Sequence, residues 1–185
     1  MLIKTVFAGF GGQGVLSMGL NLAQAAMMEG KNVTYLPSYG AEVRGGTANC
    51  TVAVSDEEIA SPVASAPEFV VAMNKPSLVR FQNQIQSGGV LLVNSTLVDA
   101  EISRGDIDIV KVPAGETADK LDSPKSANMV MLGAFIKKSN LVSLATITDT
   151  LKSTLGNKPK LIAPNTTATT TATETARRSA VRSPG

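Results

Sequence analysis

The chain has 185 residues, 43% of them hydrophobic and 17% charged, with a formal net charge of +2. That length fits one domain with a real core, and the small, scattered charge argues against nucleic acid as a partner. There is one cysteine, Cys50, and no histidine, which excludes an intrachain disulfide, a cluster held by four cysteines of this chain, a cysteine/histidine zinc site and histidine-based triads.

Ile3 to Ala8 is a mostly apolar run that predicts a first strand. It is too short for a signal core, and no apolar run reaches membrane-spanning length, so a cytoplasmic protein with no membrane partner is expected. Gly9-Phe10-Gly11-Gly12-Gln13-Gly14 follows, ahead of the helical pattern Val15 to Met28. Gly9, Gly11 and Gly14 match Gly-x-Gly-x-x-Gly between a strand and a helix, the context in which that spacing carries meaning. Glycine permits positive φ and close backbone approach. The helix behind it opens with unpaired N–H groups and the positive end of its dipole. An anion, or the backbone of a partner chain, can sit there. A dinucleotide site wants an acidic residue about twenty positions on, and Val33-Thr34-Tyr35-Leu36-Pro37-Ser38 has none. The plain alternative is a tight strand-to-helix turn with no ligand.

In the first helix Val15, Met18, Leu22 and Ala25 share a face, with Gly19 placed for close contact and Gly30 as the stop. Asn32 to Leu36 predicts a second strand, parallel to the first in a right-handed unit. Pro37 to Gly46 has three glycines and no helical period, hence a loop. Thr47 to Val54 alternates, with Ala48, Cys50, Val52 and Val54 on one side. No crossover helix fits before it, so it is expected antiparallel to one neighbour. Cys50 then reads as a small core residue.

Phe69 to Met73 predicts a buried strand, and Asn74-Lys75-Pro76 a helix start. Leu78, Phe81 and Ile85 mark that helix's inner stripe, and Gly88-Gly89 its end. Val90 to Val93 and Ile107 to Val112 predict two more strands. Asn128 to Lys138 predicts a helix with Met129, Leu132, Gly133 and Ile136 inward. Ser143 is placed to cap the last one, which turns Leu144, Ile147, Leu151 and Leu155 inward and stops at Gly156. From Asn165 the chain is Thr/Ala-rich, then basic at Arg177, Arg178 and Arg182. Composition marks residues 165–185 as a low-complexity tail, disordered or a docking arm, after a single domain over 1–164. Alternating strands and helices predict an α/β fold, a three-layer α/β/α sandwich with a mixed, mainly parallel sheet.

Two stretches go beyond a generic glycine loop. Gly9-Phe10-Gly11-Gly12-Gln13-Gly14-Val15 and Ser38-Tyr39-Gly40-Ala41-Glu42-Val43-Arg44-Gly45-Gly46-Thr47 resemble the signatures of the gamma subunit of 2-oxoacid:ferredoxin oxidoreductases. Asn128-Met129-Val130-Met131-Leu132-Gly133-Ala134 resembles a later helix of that family, and the likeness runs from about Leu2 to Leu155. The tail after Asn165 departs from the family's charged helical end.

The resemblance implies oxidative decarboxylation of a 2-oxoacid, with electrons passing to ferredoxin and the acyl group to coenzyme A. Thiamine diphosphate and iron–sulfur clusters belong mainly to other subunits in that family, so no cofactor bound by this chain alone is implied. The implied partners are thiamine-binding and ferredoxin-like subunits of one complex, ferredoxin, and coenzyme A. Gly11, Gly12, Gln13 and Gly14 would face a phosphate or the partner chains, and Glu42 and Arg44 would sit in a second loop beside them. Among substrates the second loop most resembles the 2-oxoglutarate branch; pyruvate, branched-chain and indolepyruvate members share its pattern. A stand-alone Rossmann-like nucleotide-binding protein and a purely structural assembly subunit are the competing readings.

Overall fold

Between Leu2 and Phe10 the chain forms β1, whose side chains alternate between two faces, Phe7 entering one core and Val6 and Ala8 the other. The computed structural model describes residues 1–39, 46–100, 102, 104–156 and 163–170. The helix α1 (Val15–Met28) lies on the Phe7 face and buries Val15, Met18, Leu22 and Ala25, the stripe that the spacing predicts.

The strand β2 (Asn32–Tyr39) runs beyond the predicted end at Leu36, because its pairing continues through Pro37↔Cys50 and Tyr39↔Ala48. Proline is tolerated there because β2 is the edge strand. The strand β3 (Thr47–Ser55) is antiparallel to both neighbours, β2 and β1, where the sequence required only one such neighbour. It follows that β1 and β2 run parallel with β3 inserted between them.

The strands β4 (Phe69–Ala72), β5 (Val90–Asn94) and β6 (Asp108–Val112) extend the sheet on the other side of β1, all parallel. The order is β2-β3-β1-β4-β5-β6. The sheet is therefore mixed and mainly parallel, as expected.

The helix α2 (Lys75–Phe81) lies on the Val6 face with Leu78, Phe81 and Ile85 buried. It stops sooner than the predicted glycine pair, passing through a 3-10 turn at Gln82–Gln84 into extended Ile85. Arg104 accounts for the early stop: its guanidinium donates to the Gln82 and Ile85 carbonyls at 3.0 and 2.8 Å, accepting carbonyls that a longer helix would satisfy.

The helices α3 (Ala114–Lys120), α4 (Ala127–Ser139) and α5 (Leu144–Thr154) pack on the Phe7 face with α1. Every residue of α4 from Met129 to Ile136 is buried, as befits a helix covered on all sides. Phe135 is edge-on to Phe7 at 5.3 Å and to Phe69 at 5.4 Å. In α5 the inner stripe is Ile147, Thr150 and Leu151, while Leu144 and Leu155 are only half-buried.

Residues 163–170 form a further helix, α6, which crosses the boundary drawn from composition at 164. Ala168 lies in the core and Thr169 is fully buried. Helices thus cover both faces of the sheet, giving the three layers. Among the described residues no helix is long and apolar enough to cross a membrane.

Candidate functional site

The parallel strands all point their carboxyl ends to one edge of the sheet. From β1 the chain crosses over on the α1 side toward β2. From β4 it crosses on the α2 side toward β5. The winding direction therefore reverses between β1 and β4, and the crevice at such a reversal is where open α/β sheets bind ligands. The glycine loop occupies that crevice.

Gly12 and Gly14 have φ of 94° and 73°, in the left-handed region that favours glycine. Gly11 and Gly12 are exposed, and a Cβ on Gly12 would meet nothing within 4 Å. Gly14 opens α1 without a side-chain cap, and no acidic residue stands in the first turn of that helix. No carboxylate of the helix itself therefore offsets its N–H groups and the positive end of its dipole. A side chain on Gly14 would collide with Asn128 of α4, whose Nδ2 donates to the Gly14 carbonyl at 3.4 Å.

Gln13 folds back over its own loop. Its Oε1 accepts from Phe10 N at 2.7 Å and from Asn74 Nδ2 at 2.8 Å. Gly9 leaves room for this: a Cβ there would lie 2.8 Å from Gln13 Oε1 and 3.0 Å from Met73 Cβ. The loop closes through Gln13 N, which donates to the Phe10 carbonyl at 3.1 Å.

Glu42 and Arg44 lie outside the described residues, but the stems of their loop do not. Tyr39 pairs with Ala48, Thr47 pairs with Phe10, and Gly11 N donates to the Gly46 carbonyl at 3.0 Å. The connection from β2 to β3 thus starts and ends beside the glycine loop. Gly11, Gly12, Gln13 and Gly14 form the connection between β1 and α1.

Asn74 and Asn128 were not among the sequence-predicted site residues. Asn74 carries a local signal, an asparagine between a buried strand and a proline-started helix, and it does cap α2 by accepting from Ser77 N at 2.9 Å. Asn128 has no such signal, since its contact spans 114 positions.

Cys50 is fully buried beneath α1, and burial pushes its thiol up to about 12. Among the described residues no group of three or more His, Cys, Asp or Glu is placed to hold a metal ion. An open groove of about 530 Å³ between α1 and α5 is lined by Gln24, Met27, Met28, Thr150, Ser153 and Thr154. It lies at the far end of α1 from the glycine loop.

The family model for pyruvate ferredoxin/flavodoxin oxidoreductase matches residues 4–175. The ketoisovalerate oxidoreductase subunit VorA of Methanothermobacter thermautotrophicus is 42% identical over 165 residues, 88% of this chain and 34% of that protein. The 2-oxoglutarate synthase subunit KorC of Methanothermobacter marburgensis is 34% identical over 155 residues, 80% of this chain and 83% of that one. The chain thus spans about a third of the length of the ketoisovalerate relatives it matches, at 34%.

Among solved structures, a 2-oxoglutarate:ferredoxin oxidoreductase from Magnetococcus marinus, with 2-oxoglutarate, coenzyme A and succinyl-CoA bound, aligns with a TM-score of 0.88 and 26% identity. That alignment covers 96% of this chain and 31% of the other. The keto/oxoacid ferredoxin oxidoreductase gamma subunit from Geobacter sulfurreducens aligns with a TM-score of 0.80 and 26% identity, over 95% and 99% of the two chains. With a glycine loop at the winding reversal and a family match over nearly its whole length, the chain belongs to the pyruvate ferredoxin/flavodoxin oxidoreductase family.

Proposed function

We propose that the chain is the gamma-type part of a multi-subunit 2-oxoacid:ferredoxin oxidoreductase, and that its glycine-loop edge forms the coenzyme A side of a shared active site. The observation that carries this reading is the alignment of 96% of the chain with an enzyme that has coenzyme A bound. The local chemistry fits. Coenzyme A is strongly anionic, and the edge offers exposed glycine backbone and a helix start with no carboxylate in its first turn. Gly11, Gly12 and Gly14 would approach a phosphate through their backbone, Gln13 through its amide, and Arg44 through a planar two-donor fork. Glu42 belongs to the same loop and would set the guanidinium's position. When bound, coenzyme A supplies the thiol that takes up the acyl group.

An iron–sulfur cluster does not fit this chain. Its one cysteine is buried, with a thiol pushed up to about 12, and clusters are held by thiolates. Clusters, thiamine diphosphate and the ferredoxin contact then fall to partner subunits, and cytoplasmic placement goes with that assembly. The substrate class is a 2-oxoacid; 2-oxoglutarate, from the second loop and the KorC likeness, is the first to assay. A nucleotide site of the dinucleotide type has less support, because β3 separates β2 from β1 and β2 ends without an acid.

Arg44→Ala in the assembled enzyme tests the reading. Loss of a charge-assisted pair raises the Michaelis constant for coenzyme A about tenfold or somewhat more, with the 2-oxoacid constant nearly unchanged. Arg44→Lys restores part of it. Unchanged coenzyme A kinetics together with failed subunit assembly would make Arg44 an interface residue and overturn the assignment.

A further inference from the structure

The geometry points to Asn74 as a positioning residue that orients Gln13 so that its amide N–H groups face the ligand crevice. This inference rests on the glycine-loop edge being the coenzyme A side, and it adds a residue from a different loop to that site.

Asn74 sits at the end of β4, 5% exposed, on the opposite wall of the crevice from the glycine loop. Its amide is used at both ends. Nδ2 donates to Gln13 Oε1 at 2.8 Å, and Oδ1 accepts from Ser77 N at 2.9 Å. The orientation is therefore determined: a flipped amide would set oxygen against oxygen at Gln13 and N–H against N–H at Ser77. The start of α2 thus dictates which end of Asn74 meets Gln13.

Gln13 is determined in turn. Its Oε1 is held between two donors, Phe10 N and Asn74 Nδ2. Its Nε2 has no hydrogen-bond partner among the described residues, and the side chain is only half-buried. With the carbonyl end held by Phe10 and Asn74, the amide's two N–H donors point away from both of them. A donor beside an uncapped helix start suits an anionic or carbonyl group of the ligand. Gly9 completes the device, since any side chain there would press on the carbonyl that Asn74 grips. The first glycine of the spacing thus serves the Gln13 fold-back.

The test uses Asn74→Asp in the assembled enzyme. This change keeps an acceptor for Ser77 N, so the α2 cap survives. It replaces the donor to Gln13 with a carboxylate oxygen, while Phe10 N still requires an acceptor, so neither orientation of the Gln13 amide satisfies both neighbours and its N–H groups are no longer held toward the ligand. The expected result is a rise in both the Kd (by calorimetry) and the Michaelis constant for coenzyme A, by about tenfold for a hydrogen bond to a charged group. The 2-oxoacid constant, kcat at saturating coenzyme A and the melting temperature change little. Because Asn74 acts through Gln13, Asn74→Asp added to Gln13→Ala has no further effect on coenzyme A binding.

Gln13→Glu separates this inference from the reading beneath it. That change keeps the inward acceptor but puts negative charge toward the ligand. If it leaves coenzyme A binding unchanged, the edge does not face coenzyme A and the functional reading fails. If it weakens binding while Asn74→Asp does not, the site stands and the positioning role is overturned. A fall in melting temperature with equal losses toward both substrates would make Asn74 a structural cap only, and overturn the inference. If Asn74→Asp blocks assembly, Asn74→Ser, also a good helix cap without the amide donor, is measured for the same split.

Discussion

Cys50 shows at the scale of one residue how a reactive group is made inert. Its Sγ lies against α1 where Gly19 has no side chain, and its thiol donates to the Val15 carbonyl at 3.5 Å. Burial removes water from the thiolate, so the folded pKa rises from 9.0 to about 12. The sign of the consequence is definite. Between pH 9 and 12 the unfolded chain has released this proton and the folded chain has not, so stability is lost as pH rises through that window. Denaturant midpoints at pH 8 and pH 10 check this: the intact chain falls more than Cys50→Ala, with other titrations common to both. Equal falls would contradict it. Both partners were legible, Cys50 from strand alternation and Gly19 from helix spacing. That Gly19 lies over Cys50 was not, because 31 positions separate them.

At the scale of elements, the helices that the sequence revealed are those whose signals are local. Ser143 caps α5 by accepting from Thr146 N at 3.1 Å, as its position before the apolar stripe predicts. The helix α3 went unpredicted because its cap comes from elsewhere: Thr96, after β5, accepts from Gly115 N and Glu116 N at 3.1 and 3.3 Å. It buries only Ala114 and Ala118, too little for a visible period. The helix α6 was hidden by threonine, a poor helix former, and is supported by packing instead. Its Thr169 backbone oxygen occupies the place where a Gly133 side chain would be. Gly133→Ala therefore displaces α6, although alanine is the better helix former by about 1 kcal/mol. The expected outcome is a net loss of about 1–3 kcal/mol from overpacking, with faster amide exchange across residues 163–170. Unchanged exchange there would contradict the close contact between α4 and α6.

For the whole molecule, the division of labour follows from what the chain does and does not carry. It carries a glycine loop at the winding reversal but has no cysteine set for clusters and no histidine for proton transfer. The chain by itself is expected to be colourless after iron–sulfur reconstitution and inactive toward 2-oxoacids. A visible absorbance band in it, or decarboxylation by it alone, would sink the proposed assembly. The sequence by itself determined the glycine loop, the alternation of strands and helices and the family resemblance, because these rest on neighbouring residues and short periods. Only the tertiary structure decided the insertion of β3 between β1 and β2, the winding reversal beside the glycine loop, and the grip of Asn74 on Gln13 across 61 positions. Strand order and side-chain partnership depend on which surfaces bury one another, and no local pattern encodes that choice.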